Sequence, residues 1–283
     1  MITVVFFHAH PDDESLASGG TMARLANDGH RVVLVTATRG EEGEPVPGVL
    51  EDGESLGDRR TAELCAAADV LGVARVVFLE YRDSGMADDP ANGHPQCFWQ
   101  ADIDEAADRL DAVLAEEEPS LLVVYDPNGG YGHPDHLQVH RVGTRWVERH
   151  AAAGGRPVRL RWVTLNRDVI RASLEAAVTV AEEAQVSGDP IWSDDAMLQA
   201  RRERLESDSY GMPDDQITHG IDVRSVLDRK RSAIRAHASQ IPEDSFFLAM
   251  PDDAFAAAFG REWFVDPDRR RDGRPQVGDP LLP

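Results

Sequence analysis

The chain has 283 residues, 42% of them hydrophobic, and a formal net charge of −22. That is enough chain for one large domain, or a domain with a subdomain, and the composition is that of a soluble globular protein. The acidity argues against nucleic acid and anionic membrane as partners, because both require a basic footprint. No apolar run approaches the ~20 residues of a bilayer span and no secretory leader pattern is visible, so a cytoplasmic location is expected. Arginine carries nearly all the positive charge, Lys230 being the one lysine. Cys65 and Cys97 do not suggest a disulfide framework; Cys65, in an alanine-rich helical pattern, is expected to be a small core residue.

In chain order, the apolar run Ile2–Phe7 predicts a buried strand. It is followed at once by His8-Ala9-His10-Pro11-Asp12-Asp13-Glu14. A helix is expected from about Gly20 to Asn27, and a second strand over Arg31–Ala37. The long Gly-, Pro- and acid-rich loop from Arg39 to Gly57 then leads into a helix over Asp58–Leu71. A third strand, Arg75–Leu79, precedes another long loop containing Arg82-Asp83-Ser84-Gly85-Met86. Apolar residues at helical spacing predict a helix over Ile103–Glu117, and Leu121–Tyr125 reads as a fourth strand. After it comes Asp126-Pro127-Asn128-Gly129-Gly130-Tyr131-Gly132-His133-Pro134-Asp135-His136, with a helix starting near Pro134 and running past Trp146.

A fifth strand is expected over Leu160–Thr164, helix over 168–188, an irregular acidic stretch over 189–215, a strand over Ile217–Val223 and a helix over Val226–His237. Strands alternating with helices predict an α/β fold, a Rossmann-like, doubly wound and mostly parallel sheet with helices on both faces. Residues 1–165 would form the catalytic core and 166–265 a smaller C-terminal α/β extension that shapes the pocket. Residues 266–283 would be a flexible tail. The first turn lacks the glycine pattern of dinucleotide-binding folds.

Two strand ends carry related tetrapeptides, His10-Pro11-Asp12-Asp13 and His133-Pro134-Asp135-His136. Imidazole and carboxylate are the ligands of a zinc-type site, and a catalytic site needs three of them plus an open position. His10, Asp13 and His136 could supply these, leaving Asp12 as a free carboxylate beside them. Each proline restricts the residue before it, so each preceding histidine is held extended. His140, one turn beyond His136, reads as a helix-surface residue, and His8 as buried support.

These motifs resemble the PIG-L/LmbE family of zinc-dependent N-deacetylases, continuously to about residue 150 and again at Arg235-Ala236-His237-Ala238-Ser239-Gln240. Further stretches resemble the actinobacterial mycothiol-pathway branch, which contains an N-acetylglucosaminyl-inositol deacetylase and a mycothiol-conjugate amidase. They are His8–Leu16, Gly40-Glu41-Glu42-Gly43-Glu44, Arg82–Met86 and Tyr125–His136. The resemblance implies one Zn2+ per chain, with Fe2+ as the alternative ion, held by His10, Asp13 and His136. It implies Asp12 as general base, His133 as an imidazolium oriented and raised in pKa by Asp135, and Tyr131 as a loop hydroxyl near the oxyanion. Arg60 (or its neighbour Arg59) and Asp83 would hold sugar hydroxyls, with Glu14 and His237 as further contacts toward the substrate or support behind the ligands.

The activity that the resemblance implies is removal of acetyl from an N-acetylglucosamine-type substrate, with N-acetylglucosaminyl-inositol as the candidate; the partner is then a small amino-sugar conjugate, and a homo-oligomer is allowed. The amidase reading is less favoured, because alanine stands at Ala17 where that enzyme carries lysine. Deacetylation of another sugar-bearing metabolite, a non-catalytic sugar-binding module and a metallophosphatase are the remaining alternatives. The intact acid/base set disfavours a pure binder, and a phosphatase would need ligands for a second metal.

Overall fold

The computed structural model describes residues 1–175, 210–269 and 276–277. Five strands form a parallel array: β1 (Thr3–His8), β2 (Arg31–Thr36), β3 (Arg75–Phe78), β4 (Leu121–Tyr125) and β5 (Arg159–Thr164). Three more extend it: β6 (His219–Asp222), β7 (Arg261–Val265) and β8 (Gln276–Val277). The order is β3-β2-β1-β4-β5-β7-β6-β8, with β7 antiparallel to both β5 and β6. Val4–Phe7 and Leu122–Val124 are fully buried without polar alternation. That is the pattern of parallel strands covered on both faces.

The helices are α1 (Asp13–Ala17), α2 (Gly19–Asn27), α3 (Leu56–Leu71), α4 (Ile103–Glu117), α5 (Gly129–Gly132), α6 (Pro134–Ala152), α7 (Leu227–Ala236) and α8 (Asp252–Phe259). Their ends follow from local chemistry. Ser55 Oγ accepts the Asp58 N–H at 3.1 Å to open α3, and Gly72, at φ 76°, closes it in the left-handed region. Asp102 caps α4 by accepting the N–H groups of Asp104 and Glu105. In α6, Gly143 allows close approach to β4: a Cβ there would lie 2.5 Å from Val124 Cγ1.

The C-terminal region adds strands to the same sheet, and a buried carboxylate is among the groups that tie it to the core. Glu262 of β7 accepts the N–H groups of Gly20 and Thr21 at 2.8 and 2.7 Å, at the N-terminus of α2. Its Oε1 also accepts from Lys230 Nζ, which donates as well to the Leu16 carbonyl. Both charges are buried and hydrogen-bonded, and the carboxylate sits at the positive end of a helix.

The expected elements of the first half are present, with ends shifted by at most two residues where the whole span was predicted, and Ile217–Val223 supplies β6. α8 and β7 were not expected, being a short alanine-rich helix and a five-residue strand whose second residue is a buried glutamate. The predicted helix over 168–188 is present as far as residue 175. Its remainder, and the irregular stretch up to residue 209, lie outside the described residues. One correction follows: Cys65 faces outward from α3 and is exposed. Within the segment expected as a tail, Gln276–Val277 pairs with β6. Among the described residues no helix is long and apolar enough to cross a membrane.

Candidate active site

β1 lies between β2 and β4, so the chain's crossovers diverge to either side of it. Such a switch point leaves a crevice beyond the carboxyl ends of the strands, where α/β folds place ligands. Here the loop after β1 delivers His10–Glu14, the loop after β3 delivers Asp83–Gly85, and the loop after β4 delivers Tyr131–His136.

Two imidazoles converge on Asp13. His10 Nδ1 lies 3.4 Å from Asp13 Oδ2, and His136 Nε2 lies 3.3 Å from Asp13 Oδ1. The other nitrogen of each ring is already engaged. His136 Nδ1 bonds the Gly129 carbonyl at 3.1 Å, which assigns its proton to that nitrogen. Nε2 is then a buried lone pair facing a carboxylate oxygen, with no hydrogen-bond partner among the described residues. Two acceptors in contact are unfavourable unless a cation lies between them, so His10, Asp13 and His136 fit a metal ion.

His10 Nε2 is held by Asp135 at 3.2 Å and approaches Asp83 at 3.3 Å, the arrangement that orients metal-binding histidines. Burial opposes charge on His10, yet Asp83, Asp13 and Asp135 raise its pKa well above the ordinary value, so the field at this point favours a cation. The triples whose ligand atoms all fall within 4.8 Å of one another are His10–His133–His136 and His10–Asp83–Asp135, without Asp13. The Asp13 set is preferred because the unengaged ring nitrogens face its carboxylate.

Asp12 sits next to this set in an unusual backbone conformation, φ 118° and ψ −31°. For a residue with a side chain that geometry costs about 1–3 kcal/mol and must be held by its surroundings. Arg60 holds the side chain, with NH2 3.2 Å from Asp12 Oδ2, while also donating to the carbonyls of Pro11 and Gly40. Gly40 (φ 69°) is required here, since a Cβ would meet the Arg60 guanidinium at 2.4 Å. Burial pushes the Asp12 carboxyl up to about 6 against the opposing Arg60 charge. Arg60 is thus an interior residue, whereas Arg59 pairs with Glu54 at the surface.

The structure places Asp135 differently from what the resemblance implies. Its carboxylate accepts from the Ser84 hydroxyl and from the Ser84 N–H at 3.0 Å, besides contacting His10. It meets His133 only through its backbone: the Asp135 N–H donates to His133 Nδ1 at 3.1 Å, making His133 the cap of α6. Burial and the neighbouring His10 and His136 lower the His133 pKa to about 3, the opposite direction from the rise that the resemblance implies.

Tyr131 stands on the glycine turn α5 at the mouth of the site, 45% exposed, with its ring edge-on to His136. Asp83 is buried and accepts the N–H groups of Gly85 and Glu42 at 2.9 and 3.2 Å. Burial opposes it, but His10 holds its carboxyl well below the usual range. Glu14 and His237, expected toward the substrate, are fully buried and bonded to each other at 2.7 Å. His140 bonds the Tyr125 carbonyl and packs against Trp162, away from the ligand set.

Three supporting groups went unrecognised in the sequence. Ser84 buttresses Asp135. Tyr125 stacks on His136 at 4.1 Å, and its hydroxyl is shared with His8 Nδ1 and the Ala9 N–H. Glu63 secures Ser239. All three lie in predicted elements or quoted motifs, but nothing local marks them as partners of distant residues.

A family model described as PIG-L, GlcNAc-PI de-N-acetylase, matches residues 5–147. The chain is 41% identical over 272 residues to a 1D-myo-inositol 2-acetamido-2-deoxy-alpha-D-glucopyranoside deacetylase of Acidothermus cellulolyticus, covering 93% of this chain and 88% of the relative. Its fold is similar to that of an N,N'-diacetylchitobiose deacetylase from Pyrococcus horikoshii (19% identity, TM-score 0.53, covering 86% of this chain and 72% of that one). It is also similar to that of a 4-carboxy-2-hydroxymuconate hydratase from Pseudomonas putida (18% identity, TM-score 0.57, covering 97% and 99%). The hydratase indicates that this fold hosts more than one chemistry, so the site must carry the functional argument.

Proposed function

This chain belongs to the PIG-L family of GlcNAc-PI de-N-acetylases, and we propose that it is a metal-dependent N-deacetylase acting on N-acetylglucosaminyl-inositol. The observation that carries the chemistry is the Asp12 carboxylate standing beside the His10–Asp13–His136 set. The substrate rests on 41% identity along nearly the whole chain to a relative named for that activity. We take zinc as the ion, on the mixed nitrogen and oxygen donor set, with ferrous iron suited to the same donors.

An ion held there supplies Lewis acidity, lowering the pKa of water and polarising the acetamide carbonyl. Asp12 accepts a proton from the attacking water, whose oxygen bonds to the acetyl carbon. His133, as a neutral Nε2–H donor, and the Tyr131 hydroxyl stabilise the negative charge that develops on the carbonyl oxygen. The C–N bond then breaks and the amine nitrogen takes up the proton, giving acetate and a free amino sugar. Asp135 keeps His10 oriented and supplies the N–H that fixes the His133 tautomer. Arg60 and Asp83 form the floor on which the sugar rests.

The test is to follow acetate and primary amine on N-acetylglucosaminyl-inositol, free N-acetylglucosamine and a mycothiol conjugate. The first is expected to turn over fastest. Asp12→Ala should lose about 10²- to 10⁴-fold in kcat with metal content unchanged. Full turnover by Asp12→Ala would refute the base assignment, and no acetate release from any acetylated sugar would refute the function.

A further inference from the structure

The late motif Arg235-Ala236-His237-Ala238-Ser239-Gln240 has no role in the chemistry above, yet it is tied to the core by several buried hydrogen bonds. His237 follows the last turn of α7, and its carbonyl accepts the N–H groups of Gln240 and Ile241 at 3.0 and 2.8 Å. Ser239 donates its N–H and hydroxyl to the two oxygens of Glu63 on α3, at 2.9 and 2.6 Å, and its carbonyl accepts the Val46 N–H. These bonds fix where His237 points.

It points at Glu14. His237 Nε2 lies 2.7 Å from Glu14 Oε1, which also accepts from Ser15 Oγ at 2.5 Å. The other oxygen, Oε2, accepts the backbone N–H of Asp12 at 2.9 Å. Glu14 and His237 are both fully buried, so neither offers the substrate a surface. Asp12 is the residue whose backbone sits at φ 118°, a conformation that must be enforced from outside. Its backbone is held by Glu14 and its side chain by Arg60.

The geometry points to His237 as a positioning residue for Asp12: it locks Glu14, and Glu14 clamps the Asp12 backbone in the strained conformation that sets the carboxylate beside the ligands. This rests on the reading of Asp12 as the base. The C-terminal extension thereby takes part in assembling the reaction centre and does more than form its rim. Of the two readings of Glu14 and His237, contact with substrate or support behind the ligands, the geometry favours support.

The experiment compares His237→Ala and His237→Gln on N-acetylglucosaminyl-inositol, with metal content and thermal unfolding measured on the same preparations. Glutamine places an amide N–H about where Nε2 lies. For His237→Ala, kcat should fall about 10- to 100-fold, the range for supporting partners of site residues, with KM within about twofold and metal content unchanged. His237→Gln should recover most of the loss. In an Asp12→Ala background, His237→Ala should lower the remaining rate no further, because the group it positions is gone.

If His237→Ala fails to fold, His237→Asn, too short to reach Glu14, takes its place. An unchanged kcat in a folded variant, an effect on KM alone, no recovery with glutamine, or a full additional loss in the Asp12→Ala background would each overturn the proposal. A fully active Asp12→Ala would remove the base assignment itself. An inactive Asp12→Ala beside an unaffected His237→Ala would defeat only the relay.

Discussion

His136 turns Nε2 toward Asp13 Oδ1 at 3.3 Å while its Nδ1 bonds the Gly129 carbonyl. One ring nitrogen is satisfied by backbone and the other faces an acceptor inside the protein. A cation resolves that contact, and several consequences can be measured.

Chelation should therefore destabilise the fold as well as stop the reaction. An ion bound at a thousandfold excess over its Kd contributes about 4 kcal/mol of stability. We expect a lower Tm after dialysis against a chelator, recovered on adding zinc, and a metal stoichiometry near zero for His136→Ala. An unchanged Tm after complete metal removal, verified by elemental analysis, would contradict the assignment.

Ser84 supports the site at one remove, through Asp135 to His10. Ser84→Ala takes away the hydroxyl donor but keeps the backbone N–H bond. Metal affinity or kcat should fall about 10- to 100-fold, as is common when a ligand's supporting partner is lost. Titration with a competing chelator checks the first effect and steady-state kinetics the second.

Glu117 ends α4 and accepts from Arg31 Nε at 2.7 Å and Arg75 NH1 at 2.9 Å, joining the helix to β2 and β3. The Arg31 bond, and then that of Arg75, lower its pKa against the opposing effect of burial. A carboxylate with a depressed folded pKa stabilises the protein above its unfolded pKa, and the contribution is lost as pH falls through the folded value. Glu117→Gln should cost about 1–2 kcal/mol near pH 7. The gap to the parent should close once the pH is below both values. Urea unfolding at a series of pH values measures this, and a gap independent of pH would sink it.

The parallel core was legible because each element is written locally. Uninterrupted β-branched and aromatic runs gave β1 and β4, and helical spacing gave α4 with its ends. The residues proposed as ligands stood out for a related reason: proline-restricted histidines at two strand ends narrow where an imidazole can point. The short elements α8 and β7 left too little periodicity to read, and Glu262, second in β7, looks polar until its partners at the start of α2 are known.

By itself the sequence determined which residues could ligate a metal and that they lie at strand ends; the sheet order made those strands neighbours. Only the tertiary structure decided how the remaining polar groups pair. Asp135 serves His10 across 125 residues, when its sequence neighbour His133 seemed the natural partner. Glu14 is claimed by His237 across 223 residues. Hydrogen-bond partners of buried groups are chosen by packing, because each must be satisfied by whatever the folded chain brings within about 3 Å. Distance along the sequence carries no information about that choice.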